Sequence, residues 1–202
     1  MSQHGIEKDR GGLRPTPEEV RFLTVTYNFF YDIFDEVFED SFWTQSSYYR
    51  FSRIRDAFLI YSEVLEYEPI GWIIEAIKRV RPPMEAEISK ELMLLIRNVL
   101  IHFPYFKQWD DVEIDKKMIN WSKPGQSIDK FFKTFSGHSE IKYRTWNPKK
   151  REMTCASIHF PAKYDDDSKI KLRDILSEKE GIKFCLSFMK SILNSQVAGT
   201  YE

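Results

Sequence analysis

Between Pro17 and Pro104 the apolar residues of this chain recur every three or four positions, in runs of which the later ones are bounded by Pro69, Pro82, Pro83 and Pro104. A residue on an α-helix advances 100°, so this spacing gathers apolar side chains on one face. A strand would need them at every second position. A chain with this period folds as packed helices. In the first run, Phe22, Val25, Phe29, Ile33 and Val37 step by three and four, which predicts a helix over about 17–40. Thr16 can cap it, Pro17 suits its first turn, and Glu18 and Glu19 favour the positive end of its dipole.

The second run, with Phe51, Ile54, Phe58, Tyr61 and Leu65, predicts a helix over about 46–66. A third, over 69–81, opens at Pro69 and stops before Pro82 and Pro83. A fourth, over 83–103, is ended by Pro104, whose ring disfavours helix at the residue before it. The stretches "DDVEIDKKMINW" and "SIDKFFKTFSG" read as a fifth and a short sixth helix. The period then changes. Polar and apolar residues alternate on both sides of "NPKK", which predicts a β-hairpin with strands at 140–146 and 152–160. Ser177 and Glu180 have capping-box spacing and open a last helix that runs to about 194.

The expected fold is mainly α: a helical bundle with a small C-terminal β-hairpin and a terminal helix. Residues 1–14 read as a flexible tail, 15–121 as the bundle, and 122–202 as an α+β extension packed on it. The chain has 202 residues, enough for one domain of ordinary size, and 42% of them are hydrophobic, enough for a core. A formal net charge of −1 does not demand a polyanionic partner, although a local basic patch is compatible with it. Cys155 and Cys185 both have apolar neighbours and read as inert core thiols, with a single disulfide between them left open. The polar start "MSQHGIEKDRGGLRP" has no signal-peptide character, and no apolar run reaches membrane length. The expectation is a cytoplasmic protein with no membrane contact.

The fourth helix carries the unusual feature. "LLIRNVLIHF" is apolar apart from Arg97, Asn98 and His102. Asn98 and His102 are four apart and share a face, while Arg97 lies about 140° round from His102. A long arginine side chain can swing across that angle at a helix end. A two-fold partner could also present a second Arg97 and His102 across one cleft.

The segment "RNVLIH", an arginine, a polar residue and a histidine after four intervening positions, resembles the R-x4–6-H signature of the HEPN superfamily. The resemblance covers roughly residues 17–121 and leaves the hairpin region outside it. It implies an all-helical fold with the motif on a late core helix. It also implies a metal-independent endoribonuclease in which a homodimer combines two motifs into one RNA-cutting site, with no cofactor. Family members recur as toxins paired with antitoxins and as antiviral, abortive-infection effectors, so an antitoxin or defence-system protein is an implied partner. One group carries a modifiable tyrosine two residues after the histidine. Here Tyr105 stands one place later, behind Pro104, which speaks against control by tyrosine modification.

The residue types suit that chemistry. RNA supplies its own nucleophile, the 2′-OH. Cleavage needs a proton acceptor, a proton donor for the departing 5′-oxygen, and positive charge on the phosphorane-like transition state. Histidine titrates near neutrality, so His102 is assigned to proton transfer. Arginine stays charged and offers a forked donor set, so Arg97 is assigned to phosphate. Asn98 would orient His102 or donate to phosphate. A structural reading stands beside this one: Arg97 pairs with Glu91 or Glu87, and His102 is a helix-end histidine stabilised by the dipole. On that reading the chain is a non-catalytic HEPN-like module binding RNA, nucleotide or protein, or a plain helical interaction protein.

A second candidate surface is "IKYRTWNPKKRE". Arg144, Lys149, Lys150 and Arg151, with Lys142, attract phosphate, and Tyr143 and Trp146 can stack on unpaired bases. The alternative is a solvated hairpin tip, where lysines discourage edge pairing. His138, His159 and the run Asp165 to Asp167 are conceivable metal ligands, but they lack metal-site spacing, so no metal is assigned. Neither Ser157 nor Cys155 sits in a nucleophile motif, and no glycine-rich phosphate loop occurs.

Overall fold

The computed structural model describes residues 7–9, 12–14, 17–66, 83–102, 105–114, 126–147, 150–161 and 169–197. The chain is mainly helical, with small antiparallel sheets. Strands β1 (Glu7–Asp9) and β2 (Gly12–Arg14) pair antiparallel within the stretch expected as a tail. Helix α1 (Pro17–Phe38) follows, then a 3-10 turn (Asp40–Thr44) and α2 (Ser47–Glu66). Helix α3 (Pro83–His102) bears the motif. The predicted third helix, over 69–81, lies outside the described residues.

Local chemistry explains these boundaries. Helix α1 opens on Pro17, whose missing N–H is no loss in a first turn. At the start of α2, Ser46 Oγ accepts a hydrogen bond from the Tyr49 N–H at 3.3 Å, the geometry of an N-cap. Helix α3 ends at His102, two residues before Pro104. Helix α4 (Gln126–Thr134) runs into a turn in which Gly137 takes φ 91°, the left-handed conformation glycine adopts without a steric penalty. Helix α6 (Glu178–Val197) starts directly after Ser177, as its capping residues predict.

Two expectations are corrected. The stretch "DDVEIDKKMINW" does not begin as a helix. Its first residues continue a 3-10 turn (Trp109–Asp111), and Glu113–Ile114 form strand β3. Strand β3 pairs antiparallel with β6 (Ile170–Lys171), next to α5 (Leu172–Ile175). Burial here alternates, with Val112 and Ile114 inside and Glu113 between them, which is strand periodicity. The backbone agrees: the Leu172 N–H donates to the Val112 carbonyl at 2.8 Å. Residues 115–121 lie outside the described residues.

The inner face of α1 also differs. Ile33 and Val37 are buried as expected, but Phe22, Val25 and Phe29 are exposed. Phe30, Phe34 and Phe38 go inside instead. Helix α1 carries two aromatic stripes about 100° apart, and its neighbours cover the one through Phe30 and Phe34.

Helix α1 packs on α2, α2 on α3, and α3 on α4, while α6 touches the first three helices and both strands of the hairpin. One continuous core results. It joins Phe30, Phe58, Leu95 and Ile96 of the bundle to Trp109, Phe131, Ile158 and Leu186 of the C-terminal part. In α6, Gly181 backs onto Leu176, whose side chain would collide with any added Cβ. Among the described residues no helix is long and apolar enough to cross a membrane.

Both cysteines are free thiols: Cys185 is buried as expected, whereas Cys155 is exposed. Burial pushes the Cys185 thiol well above the ordinary thiol range. A raised folded-state pKa means its stabilising contribution is complete below about pH 9, where the unfolded thiol ionises, and is lost as pH climbs further. The wild type therefore loses stability through this group as pH rises, on the order of 1 kcal/mol between pH 9 and 10. Urea denaturation at pH 8, 9 and 10 measures the effect, and Cys185→Ala should flatten the slope by that amount. Identical slopes in the two proteins would refute it.

Candidate functional site

The last turns of α3 hold the motif. Leu95, Ile96, Val99 and Leu100 are almost fully buried, which anchors the helix in the core. Arg97 and Asn98 are half-buried beside them. Arg97 Nη1 donates to Asn98 Oδ1 at 3.4 Å, a long and weak bond that sets the carboxamide against the guanidinium. A carboxamide that accepts through Oδ1 keeps its N–H donors for a phosphate or an imidazole. His102 is the final residue of the helix, about 7.5 Å along the axis from Arg97. Its side chain, with Phe103 and Pro104, lies outside the described part of the structure. Tyr105, just beyond, is exposed.

The structural role offered by Glu91 is filled by another cation. Glu91 is 4% exposed, and Lys130 Nζ of α4 donates to its Oε1 at 2.7 Å. This pair ties α3 to α4 one and a half turns before Arg97. The Glu87 side chain lies outside the described residues.

The hairpin forms as β4 (Glu140–Asn147) and β5 (Glu152–His159), within a residue of the predicted bounds. Alternation along β4 turns Lys142, Arg144 and Trp146 outward. Across the ladder, Arg144 faces Cys155 and Trp146 faces Met153, which is also exposed. Tyr143 is corrected: it is buried, with its ring 4.8 Å from that of Phe184, and offers no surface to a base. The turn is held by Asn147, whose Oδ1 accepts from the Lys150 N–H at 3.2 Å. Lys150 and Arg151 are exposed, and Arg151 adopts φ 52°. Lys149 lies outside the described residues. The structure thus divides the predicted RNA contacts into a strand face and a turn, both on a different element from the motif.

One cluster escaped the sequence reading. Lys179 and Lys183 of α6 lie over a single indole, that of Trp43, with their Nζ atoms 5.9 and 5.7 Å from its centre. Lys183 is also 5.8 Å from the Phe38 ring, and Lys190 stands 4.0 Å from the Phe34 ring. Burial is the main cause that lowers the pKa of Lys183 and of Lys190. The sequence signal was lysine at 179, 183 and 190 on one helix, facing an aromatic run far away in the chain.

His138 and His159 are both exposed, and the aspartate run at 165–167 lies outside the described residues. Among the described residues no three His, Cys, Asp or Glu side chains gather as a cation cage would need. Compared with family models, with curated proteins and with solved structures, the chain matches none of them.

Proposed function

We propose that the chain is a metal-independent endoribonuclease of HEPN type, acting as a homodimer with a composite site, and serving as a toxin or antiviral effector. The observation that carries this reading is the bonded Arg97–Asn98 pair, half-exposed on a core helix whose final residue is His102. These three residue types on an otherwise apolar stretch suit phosphoryl chemistry. In the proposed reaction one His102 takes the 2′-OH proton and the two-fold related His102 protonates the departing 5′-oxygen. Arg97 holds the phosphate as its charge grows, and Asn98 steadies the imidazole or the phosphate. The products carry a 2′,3′-cyclic phosphate and a 5′-hydroxyl. Incubating the purified chain with RNA in EDTA tests the proposal; intact RNA at high protein concentration contradicts it.

Substrate grip is assigned to the hairpin. Trp146 offers an exposed stacking surface, and Arg144, Lys149, Lys150 and Arg151, close to it in the sequence, supply positive charge. Replacing Lys149, Lys150 and Arg151 by glutamine should weaken binding to single-stranded RNA and flatten its dependence on log salt by about 2, at roughly 0.7 per lost phosphate contact. An unchanged salt slope would remove the turn from the binding surface.

A further inference from the structure

We propose that Lys179 and Lys183 of α6 form a phosphate-binding site beside Trp43, which receives the backbone of a nucleic acid strand. The polymer's identity rests on the ribonuclease reading; the phosphate chemistry does not.

The indole is fixed in place. Trp43 Nε1 donates to the Val37 carbonyl at 2.9 Å, and Phe42 packs edge-on with ring centres 5.1 Å apart. Two ammonium groups approach this one ring, at 5.7 and 5.9 Å. Lys183 is only 6% exposed, yet among the described residues its ammonium has no carboxylate within ion-pair distance. Burial is the main cause that lowers its pKa; Glu180 then favours its charge and Lys179 opposes it. Ring faces compensate an ammonium only in part and accept no hydrogen bond of ordinary strength from it. Partial burial of the Lys183 ammonium is a further cost. A phosphate oxygen pair bridging Lys179 and Lys183 would relieve both costs through charge-assisted hydrogen bonds.

The experiment uses a fluorescein-labelled 2′-O-methyl oligoribonucleotide of 12 residues, which lacks the 2′-OH and is not cleaved. Its anisotropy on titration with the full chain gives affinity and salt dependence. Lys179→Gln/Lys183→Gln should weaken binding at least tenfold and lower the salt slope by about 1.4, at roughly 0.7 for each phosphate lost. The double arginine variant should keep wild-type values. Lys179 is exposed, so Lys179→Gln alone gives half the slope change if the double variant does not fold. Millimolar inorganic phosphate should compete with the oligonucleotide on the wild type and lose that effect on the glutamine variants.

An unchanged affinity and slope in folded Lys179→Gln overturns the proposal, as does a wild type that does not bind the oligonucleotide. The two readings separate cleanly. Loss of binding in the lysine variants beside normal RNA cleavage by His102→Ala keeps this site and removes the nuclease. Normal binding by the lysine variants beside an inactive His102→Ala does the reverse.

Discussion

His102→Ala should abolish RNA cleavage, with an expected loss of about 10⁴-fold or more, while the far-ultraviolet circular dichroism of the protein stays that of the wild type. In a composite site the substitution removes the base and the acid together, and each proton transfer contributes about 10²–10⁴-fold. Arg97→Ala loses about 10²–10³-fold, the effect of removing one donor from a developing anion. Arg97→Lys recovers little of it, because an ammonium cannot reproduce a fork that meets two phosphate oxygens. The fold withstands these changes because Leu95, Ile96, Val99 and Leu100 hold this part of α3 in the core and are untouched. Gel analysis of a defined RNA with each variant decides the matter. Cleavage retained by both His102→Ala and Arg97→Ala would remove the motif from the mechanism.

Trp109→Ala should cost about 4–5 kcal/mol of folding stability, a large fraction of the roughly 5–15 kcal/mol a domain possesses. Trp109 is 1% exposed, and its indole N–H donates to the Leu176 carbonyl at 2.9 Å. Alanine leaves a cavity the size of the indole and a buried carbonyl without its donor, two penalties that add. Trp109→Phe fills most of the volume and loses only the hydrogen bond, so it should cost about 1–3 kcal/mol. Urea denaturation at neutral pH measures both. A Trp109→Ala variant within 1 kcal/mol of wild type would mean that the 3-10 turn is not part of the cooperative core.

These effects also mark what the sequence made legible. Helix ends were readable wherever local chemistry decides them: Pro17 at the start of α1, Ser177 before α6, and Pro104 beyond α3. The hairpin was readable because alternation and the "NPKK" turn act over a few residues. The β3–β6 pair was not, since two-residue strands from distant parts of the chain leave almost no periodic signal, and "DDVEI" fits a helix equally well in isolation. The buried stripe of α1 was not readable either, because with aromatics at both Phe29 and Phe30 only the packing of α2 and α6 chooses between them.

The candidate site divides in the same way. The Arg97, Asn98 and His102 pattern was legible because its spacing lies within one helix, where six residues carry all of it. The lysines over Trp43 were missed because the partners come from opposite ends of the chain and no local rule joins them. Tyr143 was misjudged because strand alternation, which faces Trp146 outward, turns a residue three places earlier toward Phe184.

End-group mapping of RNA cut in the presence of EDTA tests the central claim most directly. The account predicts fragments with 2′,3′-cyclic phosphate and 5′-hydroxyl ends from the wild type, and none from His102→Ala. Fragments with 3′-hydroxyl and 5′-phosphate ends, cleavage that EDTA stops, or equal cutting by His102→Ala would contradict it.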